Sequence, residues 1–178
     1  VLSVLITGGL HCDGLMDTAD GLFSGRERPR MLEIMKDSRA GAYGVVALAL
    51  LLLLKWSLIL DLLPVLPLTA LFVMPVLGRL AMVVAVTAFP YARPEGVGQA
   101  FAENAGRPAL IFAAGLTFIL VAPFGPAALA ALAAAVIFAF AAGRYAADRL
   151  GGLSGDVYGA VAELAETVVL LVFVVVWH

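Results

Sequence analysis

The chain has 178 residues, of which 63% are apolar and only 13% charged, with a mean hydropathy of +1.05, so an ordinary water-soluble domain is excluded. Eleven Lys and Arg against 13 Asp and Glu leave a formal net charge of −2, which removes both bulk basicity as an argument for nucleic acid and an acidic tail as an argument for disorder. A single cysteine, Cys12, excludes an intramolecular disulfide and a multi-cysteine zinc site, and the two histidines, one of them the last residue His178, argue against a soluble metalloenzyme.

A helix needs about 20 apolar residues to cross a bilayer. Stretches of that order run over 42–60, 68–89, 108–124, 126–142 and 156–177, and 1–23 makes a sixth if it tolerates its acids. The segment 1–23 lacks the basic start and small-residue cleavage site of a signal peptide, and a first residue of Val rather than Met reads as the start of a fragment. The segments on either side of Gly125 are short, and predict a tight helical hairpin or one broken helix. Small residues there (Ala113, Ala114, Gly115 and the alanines of 127–135) favour close helix packing. Lys and Arg fall in alternate connections: Arg26, Arg28, Arg30, Lys36 and Arg39, then Arg93 and Arg107, then Arg144 and Arg149. The positive-inside rule makes those connections cytoplasmic and puts Val1 and His178 on the outer side. The expected fold is a single all-α transmembrane domain over 1–178, a polytopic bundle of about six helices with acidic clusters near the cytoplasmic face.

Asp13, Asp17 and Asp20 stand at i, i+4 and i+7 within an apolar, glycine-rich segment, and at 100° per residue they share a sector of about 60°. Three carboxylates so close cannot all stay ionised in a low-dielectric setting without a compensating cation, and Mg²⁺ suits them because it takes carboxylate oxygens while keeping waters to share with phosphates. The plainer alternative is a solvated helix end. Asp156, Glu163 and Glu166 form a second acidic face spanning about 80°. Asp156 can equally be an N-cap, whereas two glutamates inside an apolar helix favour a functional role. Lys36, Asp37, Ser38 and Arg39 make a polar knot beside Tyr43, and arginine forks grip phosphate oxygens, although the basic residues of this loop also set topology. Arg79 lies within an apolar segment and should meet an acid or a substrate phosphate, Lys55 is placed to snorkel from a segment end, and His11 is a base, a ligand or a structural histidine. Trp56, Trp177, Tyr91 and Tyr145 read as interface anchors.

Three strings carry a resemblance: GGLHCDGLMDTADGL at 8–22, MKDSRAGAYG at 35–44 and GGLSGDVYGA at 151–160. In order and spacing they resemble the cobalamin synthase, or adenosylcobinamide-GDP ribazoletransferase, family, whose members carry a further N-terminal portion. The resemblance implies a membrane-bound transferase that joins α-ribazole or its 5′-phosphate to adenosylcobinamide-GDP with release of GMP, working at the cytoplasmic membrane of a prokaryote with its site facing the cytoplasm. It implies Mg²⁺ as cofactor, held by Asp13, Asp17, Asp20 and Glu166. Arg28, Lys36, Ser38, Arg39, Tyr43 and Arg79 would bind substrate. His11, Asp37, Asp156 or Glu163 would serve as base toward the attacking ribazole hydroxyl, with no choice among them. The lipid bilayer is a partner, nucleic acid is not, and association as a homo-oligomer or with other cobamide-assembly enzymes is expected. Two other readings stay open. A CDP-alcohol phosphotransferase would need an Ala-Arg that 13–17 lacks, and an ion-coupled transporter would carry its acids at the bilayer midplane rather than toward one face.

Overall fold

The computed structural model describes residues 2–64, 67–93 and 96–177; Val1 and His178 lie outside the described residues. The described residues form an all-α bundle: α1 (Leu2–Ile6), α2 (Leu10–Phe23), α3 (Arg28–Ile34), α4 (Ala42–Leu62), α5 (Pro67–Ala88), α6 (Val97–Asn104), α7 (Arg107–Val121), a 3-10 turn (Ala122–Phe124), α8 (Pro126–Leu150) and α9 (Gly155–Trp177). Five of the helical segments are long and apolar enough to cross a membrane. The expected sixth is broken: Gly8 (φ 61) and Gly9 (φ 77) take left-handed backbone that ends α1 and restarts the chain as α2. This is a polytopic all-α membrane protein.

The predicted ends hold to within a few residues except in α8, which continues past 142 to Leu150. The charges there do not stop the helix, because Arg144 Nε pairs with Asp148 at 3.0 Å one turn on and the Arg149 guanidinium lies 5.0 Å from the Tyr145 ring. Gly151 (φ 73) then ends it. Gly125 (φ 85) reverses the chain between α7 and α8, so the hairpin rather than the broken helix is formed. Of the small residues there, Ala128, Ala131, Ala135, Ala139, Gly143 and Ala146 make the buried stripe of α8, whereas Gly115 meets nothing.

α9 is the axis of the bundle. It packs against α2, α4, α5 and α8, and from Val157 to Leu170 nearly every residue is buried. Lipid is as apolar as leucine, so burial alone does not hold transmembrane helices together; small residues and polar pairs do. Both devices act on α9. A Cβ on Gly14 would lie 2.7 Å from the Asp156 carbonyl oxygen, and one on Gly159 would lie 3.1 Å from His11 Cα, so α2 and α9 cross antiparallel at backbone contact. A Cβ on Gly78 of α5 would lie 2.7 Å from Glu166 Cγ. The polar pair is Lys55, whose Nζ donates to Glu163 Oε2 at 2.6 Å and Glu166 Oε2 at 2.7 Å, with side-chain exposures of 11%, 8% and 2% in turn. Lys55 therefore does not snorkel: it is buried and ties α4 to α9. Arg79 Nη1 stands 3.7 Å from Glu166 Oε1 and completes a knot of two cations and two anions.

The three basic connections gather at one end of the bundle. Leu153 N–H donates to Pro90 O and Ala92 N–H to Leu153 O, both at 2.8 Å, which stitches the loop after α5 to the loop before α9. Arg149 Nη1 reaches Leu22 O at 3.4 Å, and Arg28 lies against Gly151. The α2–α9 crossing yields a contrast. Gly14→Val drives methyls into helix backbone that cannot give way, and should destabilise by about 1–3 kcal/mol or more. Gly115→Ala meets open space and should be neutral or stabilise by up to about 1 kcal/mol. Thermal unfolding of the two variants in one detergent checks this.

Candidate active site at the basic end of the bundle

The crossing at Gly14 brings the N-terminal half of α2 beside the first turn of α9. Asp13 is exposed and Asp17 and Asp156 are half-buried. Asp17 feels like charges on Asp13, Asp156 and Asp20 and the opposing charge of Arg93. Arg93 Nη2 lies 2.7 Å from Asp156 Oδ2, and Ser154 Oγ donates to the same oxygen at 3.2 Å. The Tyr91 hydroxyl accepts backbone N–H groups of Gly98 and Gly155, and its ring lies 6.5 Å from that of Tyr158. Tyr91 is thus a loop fastener, not an interface anchor. This is an open, acidic mouth with one guanidinium at its edge.

Below the mouth, His11 sits beside Gly159 within the fields of Arg79, Glu163 and Lys55, and its buried Nδ1 has no hydrogen-bond partner. Arg79 meets an acid, as one of its two expected partners, and that acid is Glu166. The carboxylate of Glu166 is occupied by Lys55 and faces Arg79 from nearly full burial, so it is a member of the knot and stands apart from the expected metal set. Glu163 is likewise engaged by Lys55.

Asp20 is engaged by backbone. Its two oxygens accept the backbone N–H groups of Gly41 at 2.8 Å and Gly44 at 2.9 Å, so a carboxylate from α2 caps the N-terminus of α4. Free N–H groups and the positive end of the helix dipole are what a buried carboxylate needs. Side chains at Gly41 or Gly44 would fill the space that this carboxylate occupies, which accounts for both glycines. Among the described residues, no three His, Cys, Asp or Glu side chains are already gathered as a metal-ligand group. The aspartates remaining for a cation are Asp13 and Asp17, with Asp156 across the crossing. Such a set fits Mg²⁺, which commonly takes one or two carboxylates and completes its shell with water and phosphate oxygens.

The knot at 36–39 stands outside the mouth. Asp37 and Arg39 clasp each other, with Arg39 Nη2 2.7 Å from Asp37 Oδ2 and Nε 3.0 Å from Oδ1. Lys36 and Ser38 are exposed. Arg28 lies against Gly151, and the exposed Tyr43 ring lies 6.3 Å from Phe23. Two residues of this end escaped sequence reasoning in their roles: Arg93, taken as a topology charge, and Lys55.

Comparison with known proteins identifies the family. The family model for cobalamin-5-phosphate synthase matches residues 1–174. The chain is 49% identical to the adenosylcobinamide-GDP ribazoletransferase of Desulforamulus reducens over 174 residues, covering 96% of this chain and 69% of that protein. It is 42% identical to the protein of that name from Desulfitobacterium hafniense, again over 96% and 69% of the two chains. With the one from Stutzerimonas stutzeri it shares 43% identity over 96% and 70%. No solved structure matches it. The chain belongs to the cobalamin-5-phosphate synthase family.

Proposed function

We propose that this chain is an adenosylcobinamide-GDP ribazoletransferase, joining α-ribazole or its 5′-phosphate to adenosylcobinamide-GDP and releasing GMP in the last assembly step of cobalamin. Family membership supports the reaction, and the observation that carries the site is the α2–α9 crossing. There Asp13, Asp17 and Asp156 meet Arg93 at the basic end of a membrane bundle. The positive-inside rule makes that end cytoplasmic in a prokaryotic inner membrane, the side where a nucleotide-activated substrate is found.

Transfer of a phosphoryl group asks the protein mainly to position reactants and neutralise charge. Asp13 and Asp17 would hold Mg²⁺, with Asp156 as the third carboxylate within reach. Bound there, the metal would draw charge from the diphosphate and make GMP a better leaving group. The half-exposed Asp156, hydrogen-bonded by Ser154, would accept a proton from the attacking ribazole hydroxyl. Asp37 is less suited to accept that proton, because the hydrogen bonds from Arg39 hold its carboxyl down to about 2 and leave it a weak base. Lys36 and Arg39 remain at the cytoplasmic rim, where they would attract the guanosine nucleotide rather than touch the reacting phosphorus.

Asp17→Asn removes a cation ligand without changing side-chain size, and should cut GMP release by about 100-fold or more while the bundle stays folded. Membranes with equal amounts of the two proteins, assayed for GMP and complete cobamide against Mg²⁺ concentration, check this. Loss of one product without the other would sink the reaction, and full activity in Asp17→Asn would sink the metal assignment. The Asp37 carboxyl should titrate near pH 2 by carboxyl-resolved NMR, and return toward its ordinary 3.8 in Arg39→Ala. Since its pKa is lowered in the fold, whatever the clasp adds to loop order is present above the unfolded value and is lost as pH falls through about 2.

A further inference from the structure

Arg93 is delivered to the acidic mouth by backbone, not by a flexible stem. The loop carrying it is pinned by the 2.8 Å bonds between Leu153 and both Pro90 and Ala92. Gly152 (φ 152) makes that approach possible, since a Cβ there would lie 2.6 Å from Pro90 O. The Arg93 side chain is 11% exposed, yet it is poorly satisfied: Nη2 is 2.7 Å from Asp156 Oδ2 with its hydrogens off the line of the acceptor, and neither Nε nor Nη2 makes a hydrogen bond. A buried guanidinium carries five donors in a rigid fork, and leaving them unmade is costly. The open donors point to an acceptor larger than one carboxylate.

Charge says which acceptor. Asp13, Asp17 and Asp156 against Arg93 leave two uncompensated negative charges, which one divalent cation cancels. An arriving diphosphate then meets attraction only if Arg93 is free to face it. Building on the transferase reading, we propose that Arg93 binds a phosphate of the guanosine diphosphate group, exchanging its resting partner Asp156 for phosphate oxygens. Asp156, so released, turns to the cation and the attacking hydroxyl. The Arg93–Asp156 pair is therefore a latch that the nucleotide opens, and each residue reaches its working partner only when the other has left. Arg79, whose buried Nη1 is also without a hydrogen bond, does not compete for this role because it pairs with Glu166, nearly three turns along α9 from Asp156.

The test uses GDP as probe on the full chain in phosphatidylcholine nanodiscs, with equilibrium binding beside initial rates of GMP release. Arg93→Gln should weaken GDP binding and raise KM for adenosylcobinamide-GDP by about tenfold or more, with KM for ribazole little changed, and Arg93→Lys should recover part of the loss because it keeps charge but not the fork. Without Mg²⁺, Asp156→Asn should tighten GDP binding several-fold, and that gain should vanish in the Asp156→Asn, Arg93→Gln double variant. A merely structural Arg93 would not produce that coupling. GDP affinity and KM unchanged in Arg93→Gln, or a gain from Asp156→Asn that persists without Arg93, overturns the proposal. If Arg93→Gln does not fold, the same coupling is read in the Arg93→Lys background, where it should shrink but keep its sign, and an undiminished gain is the contrary result. Phosphatidylglycerol that competes with GDP would assign the guanidinium to a lipid headgroup and also overturn it. Arg93-dependent GDP binding in a wild type that makes no GMP leaves the latch standing and removes the transferase reading; GMP release with Arg93-independent binding does the reverse.

Discussion

Lys55 Nζ lies 2.6 Å from Glu163 and 2.7 Å from Glu166, and Arg79 Nη1 lies 3.7 Å from the other oxygen of Glu166, deep within helices of bilayer length. Lipid solvates none of these charges, and removing one partner from a buried pair leaves a charge with nowhere to go, a cost of about 3–5 kcal/mol. The carboxylates of α9 therefore dictate its neighbours. Lys55 fixes the depth of α4, Arg79 the rotation of α5, and Arg93 the loop that follows α5. Packing completes what the charges begin, as Gly14, Gly78 and Gly159 let the partner helices come to backbone contact.

The knot also shapes the chemistry above it. It contains equal numbers of positive and negative groups, so it adds little net field to the mouth about two to three turns away along α9. The mouth itself keeps excess negative charge: among the described residues, Arg93 is the cation that acts on Asp17 and pairs with Asp156, and Asp13 stands beside them. A balanced floor beneath an acidic rim would suit the proposed reaction of a cation-bound diphosphate: a rigid base, and an excess of negative charge for a metal ion to compensate. Asp20 belongs to the base, where its bonds to Gly41 and Gly44 lock α4 to α2.

Much of this was legible in the sequence because it depends on local period. The aspartate steps on α2 and the acidic steps on α9 follow from 100° per residue, and the alternation of basic connections follows from topology. What was not legible depends on meetings between distant residues. Lys55 lies 108 and 111 residues from its two glutamates, so nothing local distinguishes it from a snorkelling lysine. Asp20 shares the face of Asp13 and Asp17, but the start of α4 claims it. Glu166 resembles a ligand by its depth and is a counter-ion by its neighbours. Arg93 is informative only once the 151–155 loop is beside it. The sequence could not show that Arg144 and Arg149 would extend α8, because their partners Asp148 and Tyr145 matter only if the helix is already formed.

If metal and diphosphate meet at the α2–α9 crossing, a cleaving ion bound there will mark it. With Fe²⁺ substituted for Mg²⁺ and peroxide and ascorbate added in the presence of GDP, backbone scission should concentrate around 13–17 and 153–157, and should disappear when Mg²⁺ is in excess or Asp17 is replaced by Asn. Scission confined to the 36–39 loop, or unchanged in Asp17→Asn, would contradict the account.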